Sequence, residues 1–234
     1  MPAETNKPFG SDRRVSVKAE YAAMLQPFAS TEKHRYCLNG IYVAPHPDGG
    51  VLMVATNGHI MGVIRDKEGE SNGPWICRIP RDVARAVNVQ RRSKKRVAEI
   101  ADRLLFTGTT AYVVNASFDI EAGDMSEIGP YHLIAAHAPP IDGTFPDYHK
   151  VLPTEIADGG CVALARHVLE PFLKIAAMRM ATGVDIHASG RTDPCVIFVP
   201  NTPEFFGVAM PFRSGVEAII PQWIASDPVP NAAE

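Results

Sequence analysis

Apolar residues fall at strand-like or helix-like spacing along this chain, in an order that recurs three times. The first round opens with a short strand at 15–17. Tyr21, Met24, Leu25 and Phe28 follow at i, i+3, i+4 and i+7, one face of a helix over residues 19–28. Tyr36, Leu38 and Tyr42 then fall on one side of a strand, and Cys37, Ile41 and Val43 on the other. Pro45, Pro47, Asp48, Gly49 and Gly50 break that strand. A second strand covers 51–55 and a third begins at Ile60. Asn57-Gly58 between them signals a tight turn, because both central positions of a type I′ turn need positive φ.

A polar linker at 67–74 leads to the second round. It has a strand at 75–79, Pro80 where a first helical residue tolerates a missing N–H, and a helix over about 81–89 with Val83, Ala86 and Val87 inward. Strands at 97–100, 103–107 and 111–114 follow, and 118–121 and 131–135 extend the sheet. The third round has a strand at 161–164 and a helix over 167–177, in which Leu169, Phe172, Leu173 and Ala176 repeat the spacing of the first helix. Pro171 lies near its first turn, where it costs little. Strands at 184–187, 195–199 and 206–210 complete it. The period is architectural and not a sequence repeat. It predicts an α+β fold with hairpins. The expected organisation is a flexible arm at 1–14, one body over 15–145, a connector at 146–160, a half-sized body over 161–213 and an extension at 214–234.

Composition fits a soluble globular chain: 46% hydrophobic and 21% charged over 234 residues. No apolar run reaches the length of a membrane span and the N-terminus lacks a signal-peptide core, so a cytoplasmic location and no membrane partner are expected. Cys37, Cys77, Cys161 and Cys195 are widely spaced, with no CxxC. Three of them fall inside apolar strands, so reduced, buried thiols are expected instead of disulfides or zinc. Net charge is −3, but residues 78–96 alone hold eight bases against one acid, leaving 15 bases and 25 acids elsewhere. Such segregation suits one phosphate-facing surface on an acidic remainder.

Catalytic chemistry is not signalled. His59 has no HExxH context and no adjacent nucleophile motif, and the eight histidines are scattered. No Walker loop, GxGxxG, GxSxG or metal-ligand cluster occurs. Asp142, Asp147, Glu155 and Asp158 read as solvating a loop. The expectation is a non-enzyme with no cofactor and no metal.

Four motifs add a specific resemblance. RYCLNG at 35–40, VATNGH at 54–59, FPDYHKVLP at 145–153 and VAMPFR at 208–213 resemble, in order, motifs of the bacterial sliding clamp family, the DNA polymerase III beta subunit. The resemblance implies a DNA-clamp-like fold of repeated β-α-β-β-β units with helices on one face of antiparallel sheets. It covers the family's middle domain and the second half of its last domain. The family's first domain and the first half of its last have no counterpart, and the tail past Arg213 is extra. Its apolar residues Ile219, Ile220, Trp223 and Ile224 are expected to cover an edge exposed by the missing half-domain.

What the resemblance implies for function is a replication or repair accessory protein. Its pocket takes a linear motif carried by DNA polymerases and other clamp-motif proteins. Carried over motif by motif, the wall is Leu38, Thr56, Gly58, His59, Ile60 and Met61, then Pro146, Lys150 and Val151, then Val208, Met210, Pro211, Phe212 and Arg213. Ile60 stands where the family has an arginine, which would make the rim greasier, and Asn57 where it has an aspartate. Non-specific contact with double-stranded DNA is expected from Arg81, Arg85, Arg91, Arg92, Lys94, Lys95 and Arg96, helped by Arg166, Lys174 and Arg179. A homo-oligomer is implied as well. The alternative is an adaptor or decoy that competes for clamp-binding partners without encircling DNA.

Overall fold

Two antiparallel sheets exchange their first strands. The computed structural model describes residues 12–81, 83, 84, 101–115, 132–153, 156, 161–188 and 190–215. The first repeat is β1 (Arg14–Lys18), α1 (Ala19–Leu25), β2 (Ile41–Pro45), β3 (Val51–Thr56) and β4 (Ile60–Asp66). The short β5 (Glu70–Ser71) follows it. The second repeat holds β6 (Trp75–Cys77), β7 (Ala101–Thr107), β8 (Thr110–Asn115) and β9 (His132–His137). The third holds α2 (Arg166–Met178), β10 (Asp185–His187), β11 (Cys195–Phe198) and β12 (Phe205–Ala209). One sheet runs β5-β1-β7-β8-β9 and the other β10-β11-β12-β4-β3-β2-β6. So β1 completes the sheet of the second repeat, β6 completes that of the first, and the third repeat extends the second sheet through the β12–β4 ladder.

The α+β architecture agrees with the sequence reading, but several local expectations change. Residues 35–38 are not strand: they lie in a 3-10 segment, Lys33–Leu38, closed by Asn39 N–H to Tyr36 O at 3.0 Å. Strand β2 starts only at Ile41. Gly40 lies so close to the facing strand that a Cβ there would sit 2.9 Å from Cys77 O. The first helix ends at Leu25, where Pro27, lacking an N–H, gives a 3-10 turn over Gln26–Phe28. Phe28 is still fully buried. Residues 161–164 form no strand. The arm does not extend to 14, since Arg14 is already in β1 and Arg13 is fully buried, its Nη2 donating to Ala138 O at 2.5 Å. Of the four free cysteines only Cys77 and Cys195 are buried; Cys161 is exposed. The strands expected at 97–100 and 118–121 and the apolar tail cluster at 219–224 lie outside the described residues.

The main core is continuous across all three repeats. Phe28 meets Phe172 of α2 edge-on at 4.9 Å between centroids and Phe205 of β12 at 5.9 Å. Helix α1 packs on β7 and β4 and touches α2. Arg179, just past α2, ties the third repeat to the first. It pairs with Glu204 and, at 3.2 Å, with Glu20 of α1, and lies over the Tyr21 ring. Between the sheets, buried Arg103 of β7 stands 3.8 Å from buried Asp66 of β4 and donates to Ser16 Oγ. Among the described residues no helix is long and apolar enough to cross a membrane.

Candidate peptide-binding face

Strands β2, β3 and β4 are apolar on both faces, which requires cover on both sides. One face of this sheet packs into the main core. The other carries a second cluster built on Leu38, Val54, Met61, Ile76, Phe145 and Val208. Cross-strand pairing lays out its rows. Ile76, Tyr42, Val54, Val63 and Phe206 stand opposite one another in succession, and beside them run Thr56, Met61, Val208 and Val196. The segment expected as connector crosses this face. Ile141 N–H bonds Ile76 O at 3.0 Å, and Phe145 stacks on Tyr42 at 5.0 Å and 16°. Asp147 accepts from His149 N–H and so caps the 3-10 turn Tyr148–Val151. Burial, helped by Tyr42, raises the Tyr148 pKa and keeps its hydroxyl protonated.

The rim at one end is the β3–β4 hairpin. Its two central residues are Gly58 and His59, not Asn57 and Gly58, and only Gly58 has positive φ, at 92°. Glycine at the first central position is what a type II′ turn requires. Asn57 Oδ1 accepts from the N–H of His59 (2.9 Å) and of Ile60 (3.0 Å), an arrangement an aspartate would reproduce. Thr56 Oγ1 donates to Ile60 O at 2.7 Å and accepts from Gly58 N–H at 3.1 Å. Arg35 reaches over from the 3-10 segment to Asn57 O, and a Cβ on Gly58 would meet its Nη1 at 2.8 Å. Met210 N–H donates to His59 O at 2.8 Å, which holds the end of β12 against the hairpin.

Of the residues expected in the pocket, Leu38, Met61 and Val208 are buried together in the second cluster. Thr56, Gly58 and His59 are on the hairpin rim and Pro146, Lys150 and Val151 on the crossing segment, with Lys150 Nζ 3.6 Å from Asp147. Met210 is 41% exposed and Val151 48%, so apolar surface remains open above the floor. Half-buried Pro211 follows Met210. Two assignments change. Ile60 lies on the opposite face, in the main core, because strand alternation turns it away from Met61. Its replacement of a cation therefore does not alter the rim. Phe212 and Arg213 line a separate cleft of about 450 Å³ with Cys161, Val162 and Ala163, and Phe212 is half exposed there. Motif matching missed Tyr42, Val54, Val63, Phe145 and Phe206; the two-sided apolar pattern of β2–β4 was the signal for them.

On the basic side, Arg81 is exposed. Arg85, Arg91, Arg92, Lys94, Lys95 and Arg96 lie outside the described residues. Arg166 is exposed on α2 and Lys174 pairs with Glu170 at 3.0 Å. Arg179, expected among the phosphate contacts, is engaged by Glu20 and Glu204 instead.

Comparison with known structures identifies the fold. A sliding clamp (DNA polymerase III subunit beta) from Bartonella birtlesii, solved bound to griselimycin, matches with a TM-score of 0.54 and 18% identity, over 92% of this chain and 69% of that one. Pol III beta of Caulobacter crescentus matches at 0.52 and 18%, over 92% and 70%. The beta subunit of Thermotoga maritima matches at 0.51 and 14%, over 92% and 70%. No protein-family model matches the sequence, and neither does any curated protein. The chain has the fold of the bacterial sliding clamps and spans about 70% of the length of those it matches.

Proposed function

We propose that this chain is a clamp-type replication accessory protein that captures an apolar linear motif, of the kind polymerases carry, on the face over β4 and β12. The observation behind this reading is the continuous cluster of Leu38, Met61 and Val208, spanning two repeats, beside exposed Met210 and Val151. A preformed apolar floor with a polar hairpin at its edge suits an extended peptide with two or three apolar anchors. Methionine at two of these positions adapts to anchors of different shape, which suits several partners. Such a protein brings its partners to double-stranded DNA through the basic stretch from Arg81 to Arg96, by phosphate neutralisation without base readout.

Calorimetric titration of the full chain with a synthetic clamp-motif peptide tests the reading. Saturable one-site binding that an anchor-to-alanine peptide loses supports it. Equal heats from both peptides count against it.

A further inference from the structure

The cleft at Phe212 combines an apolar wall with two cations. Among the described residues, Val162, Ala163 and Phe212 supply the wall, Arg191 and Arg213 the charge, and no acid lines it. The main chain holds its shape, because Phe212 N–H donates to Ala163 O at 3.0 Å and so fixes the segment after β12 against the one before α2. The Phe212 ring is nevertheless 50% exposed. Neither Arg191 nor Arg213 pairs with an acid among the described residues. At about 450 Å³ the cleft is within the size range of ligand pockets. An exposed ring beside two guanidiniums suits an occupant that is apolar and anionic at once.

The chain itself supplies that chemistry at the mouth of the cleft. Ser214 lines it, and exposed Gly215 leads out of it. Residues 216–234 follow, outside the described residues. They hold Glu217, Asp227 and Glu234 and no lysine or arginine. They also group Val216, Ile219, Ile220, Trp223 and Ile224 within the span 216–224. A segment of that length extends up to about 30 Å, more than enough to turn back over a cleft that starts at its own root.

We propose that the cleft is the docking site of the chain's own residues 216–224, with Ile220 and Trp223 on the wall of Phe212 and Val162 and Glu217 against Arg191 and Arg213. An exposed ion pair contributes a factor of about five at most, so the apolar contact carries the docking and the charges set its register. Tethering makes a weak contact sufficient. A short link gives an effective concentration of about 1 mM, so a segment that bound alone at about 0.1 mM would stay docked about 90% of the time. The docked segment lies next to the strand end that carries Met210. The inference does not depend on the peptide reading, and its test uses no clamp-motif peptide.

Trp75 and Trp223 are the chain's two tryptophans, so the full chain carrying Trp75→Phe reports Trp223 alone. Acrylamide should quench its fluorescence several-fold less than it quenches a synthetic peptide of residues 216–234. Arg191→Glu with Arg213→Glu, both at exposed positions, should raise the quenching towards that of the peptide, and so should Phe212→Ser, with folding of each variant verified by its melt. Quenching equal to the peptide's before any change to the cleft overturns the proposal. So does shielding that the folded cleft variants leave intact, because the segment then rests elsewhere. Shielding that fades on dilution places the segment on a second copy and overturns the proposal too. Hydrogen exchange of the unaltered full chain needs no variant: the amides of 216–224 should exchange several-fold more slowly than in the synthetic peptide, and equal rates overturn the proposal.

Discussion

Gly62 of β4 stands directly opposite Gly207 of β12, and together they make the floor on which three aromatic rings converge. A Cβ on Gly207 would run into the Phe172 ring and come within 3.0 Å of Ile197 O; one on Gly62 would meet Leu25 Cδ2 at 2.9 Å and Phe205 and Phe28 at 3.2 Å. These glycines are required by close approach, since neither has positive φ. Gly207→Ala should cost about 1–3 kcal/mol through overpacking against a ring and a backbone carbonyl. Gly62→Ala should cost less, because the Leu25 side chain can move. Urea midpoints of the two variants check the order.

Arg179 should be the single most sensitive charge at the junction of the first and third repeats. Arg179→Ala leaves Glu20 and Glu204 without a shared cation, and should cost about 1–2 kcal/mol, since the pair is only partly screened by solvent. Arg179→Lys should recover part of the loss, because an ammonium lacks the two-pronged fork. Thermal melts of both variants decide it; a melt of Arg179→Ala equal to wild type would count against this role.

Much of the fold was legible because helix and strand periods differ, and the helix ending at Met178 and strands β3, β4, β11 and β12 lie close to where the apolar spacing put them. The 3-10 segment at Lys33–Leu38 was not, because alternate apolar residues over four positions look the same in a short turn as in a strand. That Leu38, Met61 and Val208 come together could be read from motifs, since the structure packs all three in one cluster. The facing of Ile60 could not be read from the motif, since a motif names a position without its face. The Phe145–Tyr42 stack depends on a crossing segment more than 100 residues downstream, which no local pattern reports.

Alkaline pH should weaken the fold through Cys77. Burial pushes its thiol up from 9.0 to about 12, against an opposing pull from Arg13. The folded state therefore holds its proton after the unfolded chain has released its own. Stability from this group is complete below about pH 9 and falls as pH rises towards 12. Urea midpoints at pH 8 and 10.5 should differ, and Cys77→Ala should shrink the difference. In the native state a thiol reagent should label exposed Cys161 first and reach Cys77 and Cys195 only on unfolding.

Charge reversal at Arg91, Arg92, Lys94 and Lys95 should weaken duplex binding equally on unrelated sequences. It should flatten the slope of log K against log salt by roughly 0.9 for each phosphate that is no longer neutralised. Peptide binding should survive the change. Identical slopes for the two proteins would mean that this stretch is a solvated surface only.

The proposed peptide capture assigns its main anchor contacts to Leu38, buried in the cluster over β4 and β12, and Met210, exposed beside it. The direct measurement is a titration of a clamp-motif peptide into wild type and into Leu38→Ala/Met210→Ala, with folding of the variant verified by its melt. Removing two anchors should cost about 2 kcal/mol or more, so affinity should fall at least tenfold. Unchanged affinity in the folded double variant would contradict the assignment of this face to peptide capture.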